Sequence, residues 1–315
     1  MGLYDGQITR TDAGPLIPED VAKEIIQGAV TSSVCLKLLR RLPNMPRALQ
    51  RMPVLNALPI AYFVSGDTGL KKTTEAAWGN KYLNAEEIAC IVPIPESVLD
   101  DSAYDIWGEV KPRIVEAIGM MIDAAILFGT NAPVAWPTNI VAAATAAGNA
   151  VALGGGGPDI ADDLGGVGGV MATVENDGFD VSGFIAHRSI KARLRGLRTA
   201  DGDLIFQPSL TVGTPSSLYG QPIEYPDNGA WNLLQALVIC GSFREAVYSI
   251  RQDLTYKILT EAVITDNAGA IVYNLPQQDM VALRTVMRLA WQVPNPINRM
   301  QPTEANRYPF AVLTP

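Results

Sequence analysis

Few residues in this chain are placed to do chemistry. Asp67-Thr68-Gly69 is the triplet that aspartic-type hydrolases use, in which two carboxylates share one proton and activate a water. That chemistry needs two such aspartates, brought together by an internal duplication or by a symmetric dimer. The chain holds no second Asp-Thr-Gly, and the flanks Ser65-Gly66 and Leu70 lack the apolar lead-in and small follower of those enzymes. The same residue types make an ordinary β-turn, so a dimeric hydrolase built on Asp67 stands only as a rival reading. Glycine clusters at 154–157 and 165–169 invite a phosphate-loop reading, but neither is followed by Lys-Ser or Lys-Thr and neither completes G-x-G-x-x-G. Both read as loops. His187, the single histidine, has no nucleophile elbow beside it and reads as a capping or packing residue. Cys35, Cys90 and Cys240 are scattered, which excludes a multi-Cys or multi-His zinc site within one chain and gives no disulfide framework. The residues therefore predict no catalytic site, no metal and no cofactor.

Composition turns attention to surfaces. At about 150 residues per domain, 315 residues make roughly two domains or one elaborate one. Hydrophobic residues reach 48% while charged ones stop at 18%, against about 25% in a typical soluble protein, so much surface is expected to be shared with neighbours. The formal charge of −8 argues against a chain whose task is gripping phosphate backbones. The start, Met1-Gly-Leu-Tyr-Asp, has no basic n-region leading into an apolar core, and no stretch reaches about 18 uninterrupted apolar residues. With dispersed thiols this predicts a protein made in the cytosol that does not span a membrane.

The elements follow from pattern. Residues 1–16 read as an arm that orders only against something else, and Pro18-Glu19-Asp20 followed by Val21, Ile25 and Ala29 predicts a short amphipathic helix. Prolines 43 and 46 break a basic stretch over 35–51. Ala57 to Ser65 and Tyr82 to Ile94 predict the two strands of a long ribbon with a polar tip at 66–81. An isolated two-stranded ribbon is marginal in water, so this one should lean on a neighbouring subunit. Ser102 is placed to cap a helix from Ala103. In it Ile106, Val110, Ile114, Ile118, Ile122 and Ile126 recur every four residues until Gly129, across Pro112, giving a helix on the order of 40 Å long. A glycine-interrupted helix is expected over 159–176, a strand over 179–186 and a basic helix over 187–197. Loops with a short strand follow to 228, then sheet from Leu237, closing with a strand or edge segment at 280–291.

Two clusters, 37–51 and 188–198, are locally basic in an acidic chain. They read as solvated faces or as partners of acidic faces on another subunit, such as Asp159, Asp162 and Asp163 or Glu86 and Glu87, with contact to enclosed nucleic acid second.

The order of these parts resembles a known family. An arm ending Leu-Ile-Pro-Glu-Asp-Val, a strand, a polar ribbon tip and a return strand into Ile-Val-Pro-Ile-Pro-Glu-Ser-Val-Leu-Asp-Asp-Ser come first. A long helix ending Ile-Leu-Phe-Gly-Thr follows, then Gly183-Phe-Ile-Ala-His-Arg-Ser, the run Gln278 to Trp291 and Phe310 to Thr314. This succession looks like the major capsid proteins of tailed phages, a family named for the Hong Kong phage whose capsid defined the fold.

The resemblance implies an α+β fold in four parts. They are an N-terminal arm (1–55), an extended β-hairpin loop (56–95), a peripheral domain (96–131 and 237–300) with its spine helix at 103–128, and an axial domain (132–236 and 301–315). It implies a non-enzymatic subunit that forms pentamers and hexamers and closes into an icosahedral virion shell around double-stranded DNA, assembled in the host cytoplasm. An encapsulin nanocompartment shares the fold and is the nearest rival. The arm is too short for a built-in scaffolding segment, so a separate scaffolding protein and a portal are expected partners, with a decoration protein left open and no membrane. Leu70 and Trp78 are singled out as apolar anchors on the ribbon tip, because large apolar groups on an exposed hairpin need burial somewhere. Lys71, Lys72 and Lys81 lie where some relatives cross-link a lysine to a neighbour's asparagine, but no partner is matched and they read as solvated. Arg40, Arg41, Arg188 and Arg195 are the candidates for inter-subunit ion pairs.

Overall fold

The computed structural model describes residues 33–64, 69–102, 105–157, 159–197, 217–266 and 268–315. The expected arm and helix over 1–29, Asp67, Ala103, Arg198 and most of the expected loop after Leu204 lie outside them. Ser33 opens the described chain as the cap of a short helix, α1 (Val34–Leu38), its hydroxyl accepting from the Leu36 amide. A two-residue strand, β1 (Arg40–Arg41), runs parallel to a later strand. β2 (Leu49–Ala57) and β3 (Ala77–Asn84) then pair antiparallel as a separate ribbon, and β4 (Glu86–Pro95) leaves it at Ala85. After α2 (Glu96–Asp101) comes α3 (Ile106–Asp123), eighteen residues and so about 27 Å long. One wide π-type turn, Ala124–Phe128, continues it to Gly129, whose left-handed φ of 73° ends the element.

The next stretch is short-period. α4 (Ile140–Ala147) is capped by Asn139; β5 (Ala150–Ala152), α5 (Ile160–Gly165), α6 (Val170–Asn176), β6 (Gly183–Ala186) and α7 (Ile190–Gly196) follow. Then come β7 (Ser217–Leu218), β8 (Gln221–Glu224), β9 (Val238–Gly241) and the thirteen-residue β10 (Val247–Leu259). A small hairpin of β11 (Val263–Thr265) and β12 (Ile271–Asn274) leads to the equally long β13 (Met280–Gln292), and β14 (Phe310–Thr314) is the last element.

Two sheets carry two cores. The first has the order β1-β10-β13-β4, and α3 with its closing π-type turn packs on it through Ile114, Ile118, Ile122 and Ile126, one stripe at four-residue spacing. The second has the order β5-β14-β9-β6-β8-β7 and encloses Leu164, Val170, Phe184, Ile190, Leu194 and Val238 under the short helices. The cores meet at β14, where Phe310 and Val312 face one and Ala311 and Leu313 the other, as the two-residue strand period requires.

The structure corrects several expectations. The ribbon's first strand is Leu49–Ala57 and not 57–65, and its partner ends at Asn84, because Ala85 turns β4 into the sheet beside β13. Trp78 therefore lies in a strand opposite Leu55 and not on the tip. The long helix is capped at Asp105, whose carboxylate accepts from the Gly108 amide, and not at Ser102. The helix expected over 159–176 splits at 166–169, where added Cβ atoms at Gly166 and Gly169 would press on the Asp162 carbonyl. The segment expected at 280–291 as a strand or edge segment is the strand β13, an inner strand of its sheet. Residues 238–241, expected in the peripheral part, pair with β6 and β14 in the six-stranded sheet.

Candidate assembly interface

The ribbon leaves one face largely uncovered. Alternation along β3 puts Lys81 and Leu83 on one face and Trp78 and Tyr82 on the other, and that second face is open, with Trp78 70% exposed. Beyond the strands the two halves of the tip hold each other. The Ile60 amide donates to Thr74 Oγ1 at 2.9 Å, the Tyr62 hydroxyl donates to the Lys72 carbonyl, and the Lys72 ammonium stands 5.9 Å from the Tyr62 ring centre. This leaves Phe63 and Leu70 uncovered by the described residues, at 104% and 88% exposure. Such a cluster of large apolar groups on a projecting hairpin marks an interaction surface.

The base of the ribbon is tied down. The Ile297 amide donates to the Leu55 carbonyl, an Arg299 guanidinium N–H to the Pro59 carbonyl at 2.8 Å, and Lys81 pairs with Glu304 at 2.6 Å. The strap carrying these partners is knotted by Arg307, which is buried and donates to the Asn295 side chain, the Asn295 carbonyl and the Gln301 carbonyl. Burial lowers the guanidinium pKa from its ordinary value, with Glu304 and Asp177 acting against the shift.

The expected contact residues separate into two groups. Leu70, Lys71 and Trp78 are exposed on the ribbon, and Lys72 folds over Tyr62. Arg40 and Arg41 point outward from β1, Arg41 reaching Asn44 at 3.2 Å, and Arg195 donates to the Lys191 carbonyl of its own helix. Lys81 and Arg188 are engaged within the chain, Arg188 with Asp227 at 2.7 Å. Of the acids expected to face another subunit, Glu87 pairs with Arg288, while Asp163 is buried and accepts from the Gly154 and Gly156 amides at 2.8 Å. The glycine loop thus holds a carboxylate of its own chain where a phosphate loop would hold its ligand.

His187 makes local contacts to Ser189 at the start of α7, a capping role. Cys35 and Cys240 are buried, and burial pushes both thiols up, Cys35 further raised by the charge of and a hydrogen bond to Asp123. Among the described residues no group of three or more His, Cys, Asp or Glu side chains is placed to hold a metal. Nor is any described helix long and apolar enough to cross a membrane.

Asp123 escaped sequence reasoning, because a lone acid in an apolar helix carries no motif. It is fully buried and accepts from the Ser33 hydroxyl at 2.6 Å, the Val34 and Cys35 amides at 3.0 Å and the Asn228 side chain at 2.7 Å. It therefore caps α1 from the end of α3. The hairpin β11–β12 also exposes apolar side chains, Val263 at 52% and Ile271 at 66%.

The family model described as the phage capsid family matches residues 13–298. The major capsid protein of Staphylococcus phage 80alpha is 29% identical over 238 residues, which is 75% of this chain and 68% of that one. A structure from Microbacterium phage Oxtober96 superposes with a TM-score of 0.85 at 37% identity, covering 98% of this chain and all of the other. One from Mycobacterium phage Cain gives 0.84 at 30%, covering 98% and 99%. The capsid of a native GTA particle shares the fold alone, with a TM-score of 0.69 at 17% identity. A projecting ribbon, a spine helix on a four-stranded sheet and a second six-stranded sheet, matched by family model and by structures over nearly the whole chain, place this protein in the phage capsid family as a capsid protein of the virion.

Proposed function

We propose that this capsid protein is the major shell subunit of a tailed phage, that it assembles through pentamers and hexamers into an icosahedral head enclosing double-stranded DNA, and that its role is structural and not catalytic. The observation that carries the reading is the ribbon: a fold-defining element whose tip exposes Phe63 and Leu70, with nothing among the described residues of its own chain to cover them. Burying such a tip requires another copy, and a closed array gives every copy the same neighbour. In this reading the four-stranded sheet with α3 forms the peripheral part of each capsomer and the six-stranded sheet its axial part. Arg40, Arg41, Lys71, Lys72 and Arg195 face neighbours, while Lys81 and Arg188 serve within the subunit. The net charge of −8 suits a wall that encloses DNA without gripping it. Assembly draws on a separate scaffolding protein and a portal, and a decoration protein is accommodated on the outer face.

Electron microscopy of the purified protein, with light scattering for mass, tests this. Closed shells, or capsomers and tubes in the absence of scaffold, are the expected outcome. A monomer that stays monodisperse at every concentration and salt, with candidate scaffold added, would sink the reading.

A further inference from the structure

A cavity of about 530 Å³ opens at the base of the ribbon, between β3, α4, the end of β13 and the strap before β14. Small-molecule sites measure about 300–1,000 Å³, so it is large enough to hold one. One wall is apolar. α4 turns Ile140, Val141 and Ala144 into the core, and on its outer side Ala143, Ala146 and Ala147, three and four positions apart, line the cavity together with Pro137 and Val293. The helix carries no charged residue, so no long side chain of its own reaches across this wall. The other wall is cationic and incompletely bonded. Arg307 is 2% exposed, and three of its N–H groups are used, by the Asn295 side chain at 3.1 Å, the Asn295 carbonyl at 3.1 Å and the Gln301 carbonyl at 2.6 Å. A guanidinium has five such groups. The others have no acceptor among the described residues, and every acceptor present is neutral. Neither nearby acid pairs with it: Glu304 is taken by Lys81 at 2.6 Å, and Asp177 accepts from the Asn149 side chain and the Tyr308 amide. Buried charges are ordinarily paired, because an apolar surround replaces the solvation by water poorly. Tyr308, 8% exposed, lines the same cavity, and its hydroxyl has no partner among the described residues. Burial raises its pKa, which keeps the hydroxyl protonated and able to donate at neutral pH.

We propose that this cavity is a binding site for a small organic carboxylate with a compact, flat apolar body. The carboxylate takes the free N–H groups of Arg307 and the Tyr308 hydroxyl, with Lys81 at the rim, and the body lies on the alanine face of α4. Inorganic phosphate would satisfy the donors but leave the alanine wall wet. A neutral apolar molecule would cover the wall but leave the guanidinium unpaired. Glu304 also lines the cavity, and its pairing with Lys81 offsets the repulsion it would exert on the ligand. The occupant touches three parts of the subunit at once, since Lys81 belongs to the ribbon, Arg307 to the strap and Ala146 to α4. Binding therefore fastens the ribbon's base to the strap, adding to the Lys81–Glu304 pair already there.

The probe is para-fluorobenzoate, followed by fluorine NMR on the purified protein, with para-fluorobenzamide and inorganic phosphate as comparators. Saturable binding of the benzoate with a dissociation constant on the order of 1 mM is expected, with the amide at least about tenfold weaker. Ala146→Phe fills the cavity from an exposed helix position, so it should abolish binding while leaving the unfolding midpoint close to that of the unaltered protein. Lys81→Ala should weaken binding severalfold. At saturation, hydrogen exchange over 49–57 and 77–84 should slow. No saturable binding up to about 20 mM, benzoate binding undiminished in Ala146→Phe, or an amide bound as tightly as the benzoate would each overturn the site. Phosphate competing at equal affinity would overturn the assigned ligand class, because the alanine wall would then contribute nothing. Binding that leaves exchange over the two strands unchanged would overturn the fastening of the ribbon.

Discussion

Replacing Asp123 with alanine should detach α1 from the end of the spine helix. The carboxylate is fully buried and receives four hydrogen bonds, from Ser33, Val34, Cys35 and Asn228. The Ser33 hydroxyl and the Asn228 amide can turn toward other acceptors, but the two backbone amides at the first turn of α1 cannot. Each buried donor left without a partner costs about 1–3 kcal/mol. The Val34 and Cys35 amides together therefore predict a loss of about 2–6 kcal/mol, a large share of the about 5–15 kcal/mol that holds a typical native protein. Asp123→Asn keeps one accepting oxygen but turns an NH2 toward two donors, so its loss should fall between wild type and alanine. The assay is urea unfolding of capsomers by intrinsic fluorescence, read beside hydrogen exchange of the peptide covering 33–39. Loss of protection there should exceed the loss in β10 and β13. An Asp123→Ala protein within about 1 kcal/mol of wild type, with unchanged exchange over 33–39, would refute the account of this residue as the clamp of α1.

Three further outcomes are expected. Gly241→Ala should lower the melting temperature of capsomers by several degrees or block folding, because a Cβ there would come within 2.2 Å of the Pro309 carbonyl oxygen just before β14; calorimetry reads it. In the folded protein a thiol reagent at neutral pH should modify Cys90 first, with Cys35 and Cys240 reacting only on unfolding. Because burial raises both buried thiols, the unfolded chain alone releases their protons above pH about 8.5, so stability should fall as pH rises through that value, as denaturation midpoints across pH 7–10 would show. Trp78→Ala should leave the unfolding midpoint of isolated capsomers within about 0.5 kcal/mol, since the side chain is 70% exposed, yet lower the temperature at which assembled shells come apart; unchanged shell stability would remove Trp78 from the interface.

The spine helix was legible because its signal is periodic. Six apolar residues at four-residue spacing and a terminal glycine fix α3 and its end, and the structure moves only the cap, from Ser102 to Asp105. The ribbon was legible as an element but not in its register. Ala57 to Ser65 is the more apolar run, whereas the paired strand Leu49–Ala57 hides its alternation behind Arg51 and Pro53. Local hydrophobicity detects burial, and a ribbon that projects from its own subunit has little to detect. The second strand was drawn too long for a related reason: Ala85 separates two strands in different sheets, and nothing in its residue type announces the change of partner. Asp123 and the Arg307 strap were illegible because both depend on contacts between residues far apart in sequence, up to 105 positions for Asp123 and Asn228. The glycine clusters were read correctly as loops, but only the structure shows the Asp163 carboxylate that organises one of them.

The position of β14 bears on when a newly made subunit becomes competent. It lies inside the six-stranded sheet, hydrogen-bonded to β5 on one side and β9 on the other, although those strands are separated from it by 158 and 69 residues, counted from the ends of each to Phe310. During synthesis β5, β6 and β9 emerge well before it, and the slot between β5 and β9 stays empty until residues 310–314 arrive. Nascent chains crowded on one messenger are thereby kept from joining as finished subunits, since one of the two cores cannot close around a missing strand. The translation machinery, by delivering β14 late, sets the earliest moment at which a copy can enter a growing shell.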